Sequence, residues 1–407
     1  MKISLSRAAV ALAIGSFMFT AFAKEGPTSA PARLDIQSLE RDRMLRMANE
    51  FLAGQPVTVT ASHSPRSEGG LHDFFSEGDY WWPDPKNPDG PYIQKDGMTN
   101  PDNFVEHRKA LMGMSVKVAT LTAAYKITGD RKYADAAVKH LTAWFVNPDT
   151  MMNPNLEYAQ AIHGRFKGRG TGIIDTIHLI EPARSVIILE NAGVLKGEEL
   201  AGIRKWFSDY ILWLTTSKNG SEEMNAKNNH GSCFWMQLSA FAKLAGDEKE
   251  LEAARRKFKE VLLPNQMAPD GSFPQELRRT KPYSYSMFNL DAMCTLCEIA
   301  STPQDNLWAF TLPDGRSMKK GEEFMAPYIQ DKDAWLKFLA AKFGPGKGPD
   351  VMFWDKWPVR SASLLFAGQA YGEQKWMDLW VSLPADYSNE EVLRNVPIRT
   401  PVLWVGN

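Results

Sequence analysis

The sequence has few cysteines, almost no net charge and, after its first residues, no long apolar run. Its three cysteines, Cys233, Cys294 and Cys297, cannot form a disulfide framework in a chain of 407 residues. Cys294 and Cys297 lie one helical turn apart in an apolar stretch, which favours buried thiols. A net charge of -1 gives no overall attraction for a polyanion. We therefore expect no nucleic acid partner, and an acidic ligand would have to be held by a local basic cluster.

Signals for metal chemistry are also missing. The sequence has no HExxH motif, and His163, His178 and His230 are widely spaced without acidic ligands in a recognisable pattern. The glycines of 164–170 follow no predicted strand and lack the spacing of a phosphate-binding loop. We expect neither a metal nor another cofactor.

The first 23 residues predict a secretory signal peptide. Lys2 and Arg7 give a basic start, 8–22 form an apolar run, and 21–23 make a small-residue cleavage site. The run is short for a membrane-spanning helix, and no second candidate follows it. We expect cleavage after Ala23 and a periplasmic or secreted protein without a membrane anchor.

Helical periodicity dominates the rest of the chain. Apolar residues recur at steps of three and four in several segments, for example Leu111, Met114, Val118, Leu121 and Tyr125. The stretches YKITGDRKYA at 125–134 and FAKLAGDEKEL at 241–251 share a helix end, a Gly-Asp break and a new helix start. No low-complexity linker divides 24–407. We therefore predict one mainly α catalytic domain of stacked helical hairpins that curl around a groove.

Long loops rich in glycine and aromatic or basic residues are predicted between the helices. They span 78–92, 153–172, 218–231 and 344–358. Loops of this length in a compact domain are usually functional or disordered, and their Trp, Tyr, Arg and His content argues against disorder. We expect them to carry the functional site.

Two stretches supply an amide, an imidazole, guanidinium groups and phenols: NNHGS at 228–232 and ELRRTKPYSY at 276–285. This set suits removal of a proton next to a carboxylate. Asn229, His230 and Arg279 could neutralise the carboxylate of a uronate and stabilise the anion that develops. Tyr285 could take the C5 proton and then protonate the departing O4, because a nearby cation makes a phenolate accessible.

Each of these residues also has a purely structural explanation. Asn229 and His230 could cap a helix that starts near Gly231. Arg279 could be ordinary surface charge, and Tyr285 lies on an apolar helical stripe where it could belong to the core. Tyr283 competes with Tyr285 for the role of base and acid.

Two further clusters could bind a substrate. The stretch 155–170 contains Gln160 and three basic residues in five, Arg165, Lys167 and Arg169, which suits an anion. The stretch GDYWWPDP at 78–85 could form an aromatic platform for sugar rings. Its candidates for substrate contact, together with one residue at the head of a predicted helix, are Tyr80, Trp81, Trp82 and His107.

Two other classes of protein fit part of the pattern. The first is a glycoside hydrolase of the α/α-barrel type that uses two carboxylates, with candidates Asp84, Glu157, Asp175, Glu181 and Glu276. The second is a non-catalytic periplasmic glycan-binding protein, in which the tryptophans and the basic loop bind but nothing reacts.

The motifs resemble those of the alginate lyase superfamily of helical-toroid polysaccharide lyases. The matching stretches, in the expected order over most of the chain, are YWWPDP at 80–85, NLEYAQAIHGRFKGRGTGIID at 155–175, NNHGS, and ELRRTKPYSYSMFNL at 276–290. Polysaccharide lyase family 38 is the nearest branch and family 5 is more distant. Family 5 has a histidine after its catalytic tyrosine, whereas Ser286 follows Tyr285 here.

The resemblance implies an (α/α) toroid of six to seven hairpins and a metal-independent β-elimination. It implies that Asn229 and His230 neutralise the carboxylate, that Arg279 assists and that Tyr285 is base and acid. Gln160 and Arg169 would line the groove. We expect an acidic polysaccharide substrate, poly-β-D-mannuronate or β-1,4-polyglucuronate, and poor cleavage of guluronate blocks.

Overall fold

α-Helices joined by short turns form most of the structure, a computed structural model that describes residues 34–344, 350 and 359–405. The helices are α1 Ile36–Phe51, α2 Glu106–Thr128, α3 Arg131–Phe145, α4 Ile180–Asn191, α5 Gly197–Thr216, α6 Lys218–Met224, α7 Asn229–Ala245, α8 Glu248–Lys257, α9 Leu263–Gln266, α10 Pro274–Leu277, α11 Pro282–Ala300, α12 Met318–Gln330, α13 Lys332–Phe343, α14 Ala362–Tyr371, α15 Gln374–Ser382 and α16 Glu390–Asn395. The predicted signal peptide and most of the loop predicted at 344–358 lie outside the described residues. The mainly α prediction is confirmed.

The Gly-Asp breaks are helix–turn–helix junctions. Gly129 and Gly246 end α2 and α7 in the left-handed region, with φ of 71° and 75°, where glycine has no steric cost. Asp130 and Asp247 then cap α3 and α8 by accepting a hydrogen bond from a backbone N–H. Gly372 ends α14 in the same way, with φ of 67°, and is followed by the first residues of α15. This third junction does not match the Gly-Asp pattern in the sequence, because it has glutamate where the other two have aspartate.

The helices form two layers. In the inner layer, α2 packs on α4, α4 on α7, α7 on α11 and α11 on α14. Outer helices pack against this row: α3 on α2, α5 and α8 on α7, α12 and α15 on α14. Antiparallel hairpins in two layers are the (α/α) toroid predicted from the sequence.

Large apolar side chains fill the space between the layers. Trp206, Phe207 and Tyr210 of α5 meet Phe145 and Phe241 with ring centroids 4.7–5.6 Å apart. Full burial of one such side chain stabilises the fold by about 1.5–3 kcal/mol. All three cysteines are buried and unbonded, as expected from their apolar surroundings.

Short strands hold the loops at the N-terminal ends of the inner helices. β1 Phe75–Glu77 pairs in parallel with β4 Tyr158–Ala161, and β2 Trp81–Trp82 pairs antiparallel with β3 Ile93–Gln94. The 3₁₀ segment Gly170–Leu179 leads into α4; shorter irregular helical turns are Val59–Ala61, Phe258–Leu262 and Pro401–Leu403. Residues 218–231 are not the predicted loop, because α6 and the start of α7 occupy them.

None of the helices in the described part of the chain combines the length and the apolar character needed to cross a membrane.

Candidate active site

A cavity of about 950 Å³ opens at the N-terminal ends of α7 and α11. We call it the central cavity. Its walls come from the loops around β2, β3 and β4, from the 3₁₀ segment before α4, and from α6 and α16. Most of the side chains that line it are polar. The lining includes Asp79, Tyr80, Trp81, Gln94, Asp96, Arg108, Gln160, Phe166, Arg169, Asp175, His178, Lys218, Asn219, Glu222, Glu223, Asn228, Asn229, His230, Arg279, Tyr285, Phe288, Arg394 and Asn395.

Tyr285, in the first turn of α11, presents its hydroxyl to the central cavity. The hydroxyl accepts a hydrogen bond from Arg279 Nη2 at 3.0 Å and shares a second one, of 2.9 Å, with the hydroxyl of Tyr80. The guanidinium of Arg279 also covers the Tyr285 ring at 4.0 Å and is held by Asp96 at 2.9 Å. Tyr285 is therefore a cavity residue, although it belongs to an apolar stripe in the sequence.

The surroundings of Tyr285 favour its neutral form. Burial raises the pKa of Tyr285 well above its ordinary value, the neighbouring Tyr80 adds to the rise, and Arg279 opposes it. The sequence correctly indicated the direction of the Arg279 effect. It did not indicate that desolvation is larger.

Asn229 is locked in one orientation by a buried carboxylate. Glu276, which is fully buried, accepts hydrogen bonds from the Asn229 backbone N–H at 2.8 Å and from Asn229 Nδ2 at 2.7 Å. The amide group has a second N–H, which remains available to a ligand in the cavity. Burial raises the pKa of Glu276, whereas its two bonds to Asn229 lower it; burial prevails. Helix capping does not explain Asn229, because its side chain makes this long-range contact.

His230 has a comparable anchor. Its Nδ1 lies 2.6 Å from Oε1 of Glu223, which is buried in α6. A carboxylate accepts, so Nδ1 donates to Glu223 and Nε2 is left for a ligand. The next residue, Gly231, lets α6 and α7 approach closely, because a Cβ there would lie 2.2 Å from the Ala226 carbonyl oxygen. The NNHGS motif is therefore a tight entry into α7 as well as a source of polar groups.

Gln160 and Arg169 form a third rigid group on the cavity wall. Arg169 donates from Nε to the Gln160 carbonyl oxygen at 3.0 Å and from Nη2 to Gln160 Oε1 at 2.9 Å. Gln160 Nε2 donates in turn to Asp175 at 3.3 Å, and Ser76 donates to the other Asp175 oxygen at 2.5 Å. Gln160 has φ of 49°, a left-handed conformation that side-chain-bearing residues rarely adopt. Backbone strain of this kind concentrates at functional sites.

A pair of arginines on one aspartate lies beside these groups. Arg108 Nη1 and Arg394 Nη1 contact the same oxygen, Oδ1 of Asp79, at 2.7 and 2.9 Å. Burial alone would raise the pKa of Asp79, but the two guanidinium groups outweigh it and the pKa lies below its ordinary value. Asp79 therefore carries its charge inside the protein.

Four of the residues predicted to bind substrate lie outside the central cavity. His107 is buried, where its Nδ1 accepts from the Phe75 N–H at 2.9 Å and its Nε2 donates to Ser62 at 2.9 Å. Its two ring nitrogens are thereby both used within the fold. No local pattern predicts these bonds, because both partners come from distant loops.

The other three are held by the rim or the core. Trp82 donates to the Met98 carbonyl at 2.9 Å, and Arg165 donates to the Tyr92 carbonyl at 2.8 Å while it covers Trp81 at 5.5 Å. Tyr283 is buried against Trp335 with ring centroids 5.6 Å apart. The geometry thus separates Tyr283 from the cavity and places Tyr285 in it. Tyr80, Trp81, Gln160, Arg169, Asn229, His230 and Arg279 line the cavity as well.

The carboxylates that suggested a hydrolase do not form a pair in the cavity. Among Asp84, Glu157, Asp175, Glu181 and Glu276, Asp175 alone lines it. Asp175 is held by Ser76 and Gln160 and lies 3.5 Å from Arg108. Sequence reasoning missed the roles of Asp79 and Arg394, whose contact joins distant parts of the chain. It also missed Glu223, which is near His230 in the chain but lies on the unpredicted helix α6. Within the described residues, no group of three or more His, Cys, Asp or Glu side chains could hold a metal ion.

Comparison with known proteins identifies the family. The family model for alginate lyases matches residues 58–335. The crystal structure of an alginate lyase from Bacteroides ovatus is 34% identical, with a TM-score of 0.77, and the alignment covers 90% of this chain and 93% of that chain.

Two structures of a more distant lyase share the fold at 13% identity. Alginate lyase A1-III from Sphingomonas species A1 has a TM-score of 0.50 over 89% of this chain and 95% of that one. A variant of alginate lyase A1-III complexed with a tetrasaccharide has a TM-score of 0.54 over 93% and 98%. A search of the curated proteins gave no significant match. The family match over most of the chain and the Bacteroides ovatus structure together show that this chain belongs to the alginate lyase family and is a polysaccharide lyase.

Proposed function

We propose that this lyase cleaves β-1,4-linked polyuronates, poly-β-D-mannuronate of alginate or poly-β-D-glucuronate, by metal-independent syn β-elimination. The products carry a 4,5-unsaturated uronate at the new non-reducing end. One observation carries the proposal: the Tyr285 hydroxyl, hydrogen-bonded to Arg279 at 3.0 Å, opens into the same cavity as Asn229 and His230.

The first task of the site is to make the C5 proton acidic. The second Nδ2 hydrogen of Asn229 and the Nε2–H of the doubly protonated His230 ring donate to the uronate carboxylate, where negative charge develops as the proton leaves. Glu276 and Glu223 fix these two groups before the substrate arrives. Donors that are already oriented need no reorganisation in the transition state, which is the main source of such stabilisation.

Tyr285 performs the proton transfers. As phenolate it takes the C5 proton, the C5–H electrons form the C4=C5 double bond, and the C4–O4 bond breaks. The departing O4 then receives the proton from Tyr285, which returns to the phenolate. Because burial raises the pKa of Tyr285, only a fraction is ionised at neutral pH. We expect kcat/KM to rise by about tenfold per pH unit in the neutral to alkaline range.

A single base on one face of the sugar ring also limits which uronates can be cleaved. β-D-Mannuronate and β-D-glucuronate share their configurations at C4 and C5, so one tyrosine can reach the C5 proton and O4 from the same side. α-L-Guluronate is inverted at C5 and would need a base on the opposite face. Trp81, Gln160 and Arg169 line the cavity next to this group and are the proposed binding contacts. The N-terminal sequence supports a periplasmic or secreted location.

The experiment is ultraviolet absorbance of the mature protein incubated separately with polymannuronate, polyguluronate and β-1,4-polyglucuronate. Elimination creates a conjugated double bond that absorbs, and hydrolysis does not. We expect absorbance to rise on the first or third polymer, without a requirement for added metal and with no loss in a chelator.

The matched variants are Tyr285→Phe and Tyr283→Phe. Removing the Tyr285 hydroxyl should lower turnover by about a thousandfold or more while polymer binding persists. Removing the Tyr283 hydroxyl, which is buried outside the cavity, should leave turnover close to the parent. Full turnover in Tyr285→Phe would refute its role. Reducing ends without absorbance would point to a hydrolase, and faster cleavage of guluronate would refute the one-face geometry.

A further inference from the structure

Arg394 enters the central cavity from a part of the chain that the family match does not include. It lies on α16, Glu390–Asn395, beyond the matched residues 58–335. With Asn395 it forms part of the cavity lining, as do Tyr80 and Tyr285. Nothing in its sequence surroundings, EEVLRN, suggests a functional residue.

The position of Arg394 is fixed from two sides. Its Nη1 contacts Asp79 Oδ1 at 2.9 Å, and its backbone carbonyl accepts a hydrogen bond from His178 Nε2 at 3.0 Å. Burial lowers the pKa of His178 well below its ordinary value, and the charge of Arg399 adds to this, so His178 brings no positive charge. Asp79 immediately precedes Tyr80 in the chain, which couples the position of the guanidinium to that of the phenol.

Arg394 shares Asp79 with another arginine. Arg108 contacts the same Asp79 oxygen at 2.7 Å and also lies 3.5 Å from Asp175. Arg169 also acts on Asp79, and the carboxylates around these three guanidinium groups are Asp79, Asp175, Glu223 and Glu391. Because Arg394 has only a share of the Asp79 charge, its guanidinium can also stabilise a further negative group in the cavity.

The groups around Arg394 are carboxylates and phenols. Its own helix contributes Glu391, which acts on Arg394 and also forms an ion pair with Lys281, whose Nζ lies 5.6 Å from the centre of the Tyr80 ring. Among the phenols that line the cavity, Tyr80 and Tyr285 interact with the charge of Arg394, and their hydroxyls are 2.9 Å apart. Burial raises the pKa of Tyr80, whereas Arg394 lowers it.

We propose that Arg394 is a positioning residue for the base: its guanidinium, held by Asp79, stabilises the negative charge that Tyr80 and Tyr285 share when Tyr285 is ionised. This inference rests on the proposed role of Tyr285. Arg279 stabilises the phenolate by a direct hydrogen bond to Tyr285, and Arg394 stabilises it by its charge alone. The phenolic proton that leaves goes to solvent, and the proton that remains lies between the two oxygens.

The test is the pH dependence of kcat/KM for the parent, Arg394→Gln and Arg394→Lys. In Arg394→Gln the alkaline rise should move up by about one pH unit, so that activity at neutral pH falls about tenfold. Arg394→Lys keeps the positive charge and should recover part of the shift. A residue that acts only through stability would lower activity without moving the profile.

A second measurement needs no turnover. The absorbance of ionised tyrosine is followed during an alkaline titration of the parent and of Arg394→Gln, each with and without Tyr285→Phe. The transition lost with Tyr285→Phe belongs to Tyr285, and it should occur at higher pH in Arg394→Gln. An unmoved transition and an unmoved kcat/KM profile, or a change in KM alone, would overturn the proposal. Retained turnover in Tyr285→Phe would instead refute the role of Tyr285 itself, so the two failures are distinct.

Discussion

Asp79 and Glu322 are both acids with little exposure to solvent, yet their pKa values are shifted in opposite directions. Burial would raise the pKa of Asp79, but Arg108 and Arg394 bring it below its ordinary value. Glu322, on α12 in the core, has Ser363 and Asp291 for neighbours and no such cation; burial raises its pKa to about 8. Asp291 follows the same direction, because burial outweighs its bonds from Ser361 and Ser363.

The difference separates two uses of a buried acid. At the cavity, Asp79 is paired with two guanidinium groups, which favour its charged form and are held in place by it. In the core between α11, α12 and α14, burial favours the protonated forms of Asp291 and Glu322. Pairing with a cation, rather than depth, decides which state is stable.

Removing the charge of Asp79, the acid at the cavity, should have the largest effect on stability. In Asp79→Asn, Arg108 and Arg394 lose the charge that pairs them, and the free energy of unfolding should fall by about 3–5 kcal/mol. Urea-induced unfolding measures it. Asp135→Asn is the matched control, because Asp135 pairs with Arg131 on the exposed face of α3 and its loss should be undetectable. A loss in Asp79→Asn no larger than in the control would contradict the paired state of Asp79.

Removing the proton-binding acid from the core should have a smaller, pH-dependent effect. The pKa of Glu322 is higher in the folded state, about 8, than its ordinary value of 4.5, so its contribution to stability is complete below pH 4.5 and is lost as the pH rises to about 8. The loss is about 1.4 kcal/mol per pH unit.

Glu322→Gln should remove that dependence. The difference in the free energy of unfolding between variant and parent should grow in favour of the variant from pH 5 to pH 7, by about 2–3 kcal/mol. Glu252→Gln, on the exposed face of α8, should show no such trend. A difference independent of pH would mean that Glu322 is already ionised in the fold.

Glu276 lies between the two classes and should give the smallest effect. It holds a donor of the cavity, Asn229, yet burial raises its pKa as in the core. In Glu276→Gln one of the two Asn229 bonds is lost, so kcat should fall about tenfold, equivalent to about 1.4 kcal/mol, with little change in KM. Steady-state kinetics on the preferred polymer measures this. An unchanged kcat would mean that Asn229 needs no such anchor.

Local patterns in the sequence predict most of the fold. The spacing of apolar residues gives the helices, and Gly129-Asp130 and Gly246-Asp247 give the junctions, because both signals depend on near neighbours. Helix α6 was missed, since its sequence, KNGSEEM, has no apolar period. Helices this short depend on tertiary packing, here on the 3₁₀ segment before α4 and on α7.

The candidate site was predictable to the extent that its groups are neighbours in the chain. Arg279 and Tyr285 are six residues apart and meet as expected. The acid that orients Asn229 and the arginine on α16 are not predicted in these roles, because contacts across tens or hundreds of residues leave no spacing to read. Glu223 is near His230 in the chain, but it lies on α6, a helix that the sequence pattern does not predict. His107 was assigned to the groove because a histidine at a helix start suggests a site; its two hydrogen bonds in the core could not be anticipated.

The left-handed backbone at Gln160 restricts which residues evolution or an engineer can place there. Glycine would fit the φ of 49° without strain but would remove the amide that joins Arg169 to Asp175. Asparagine tolerates the conformation yet is one methylene shorter, and longer polar residues lack the paired donor and acceptor. The position therefore trades about 1–3 kcal/mol of conformational energy for a fixed arginine. If position 160 is randomised, we expect the variants that gain stability to differ from those that keep activity. The cost of the backbone conformation and the need for the amide can therefore be measured separately at this position.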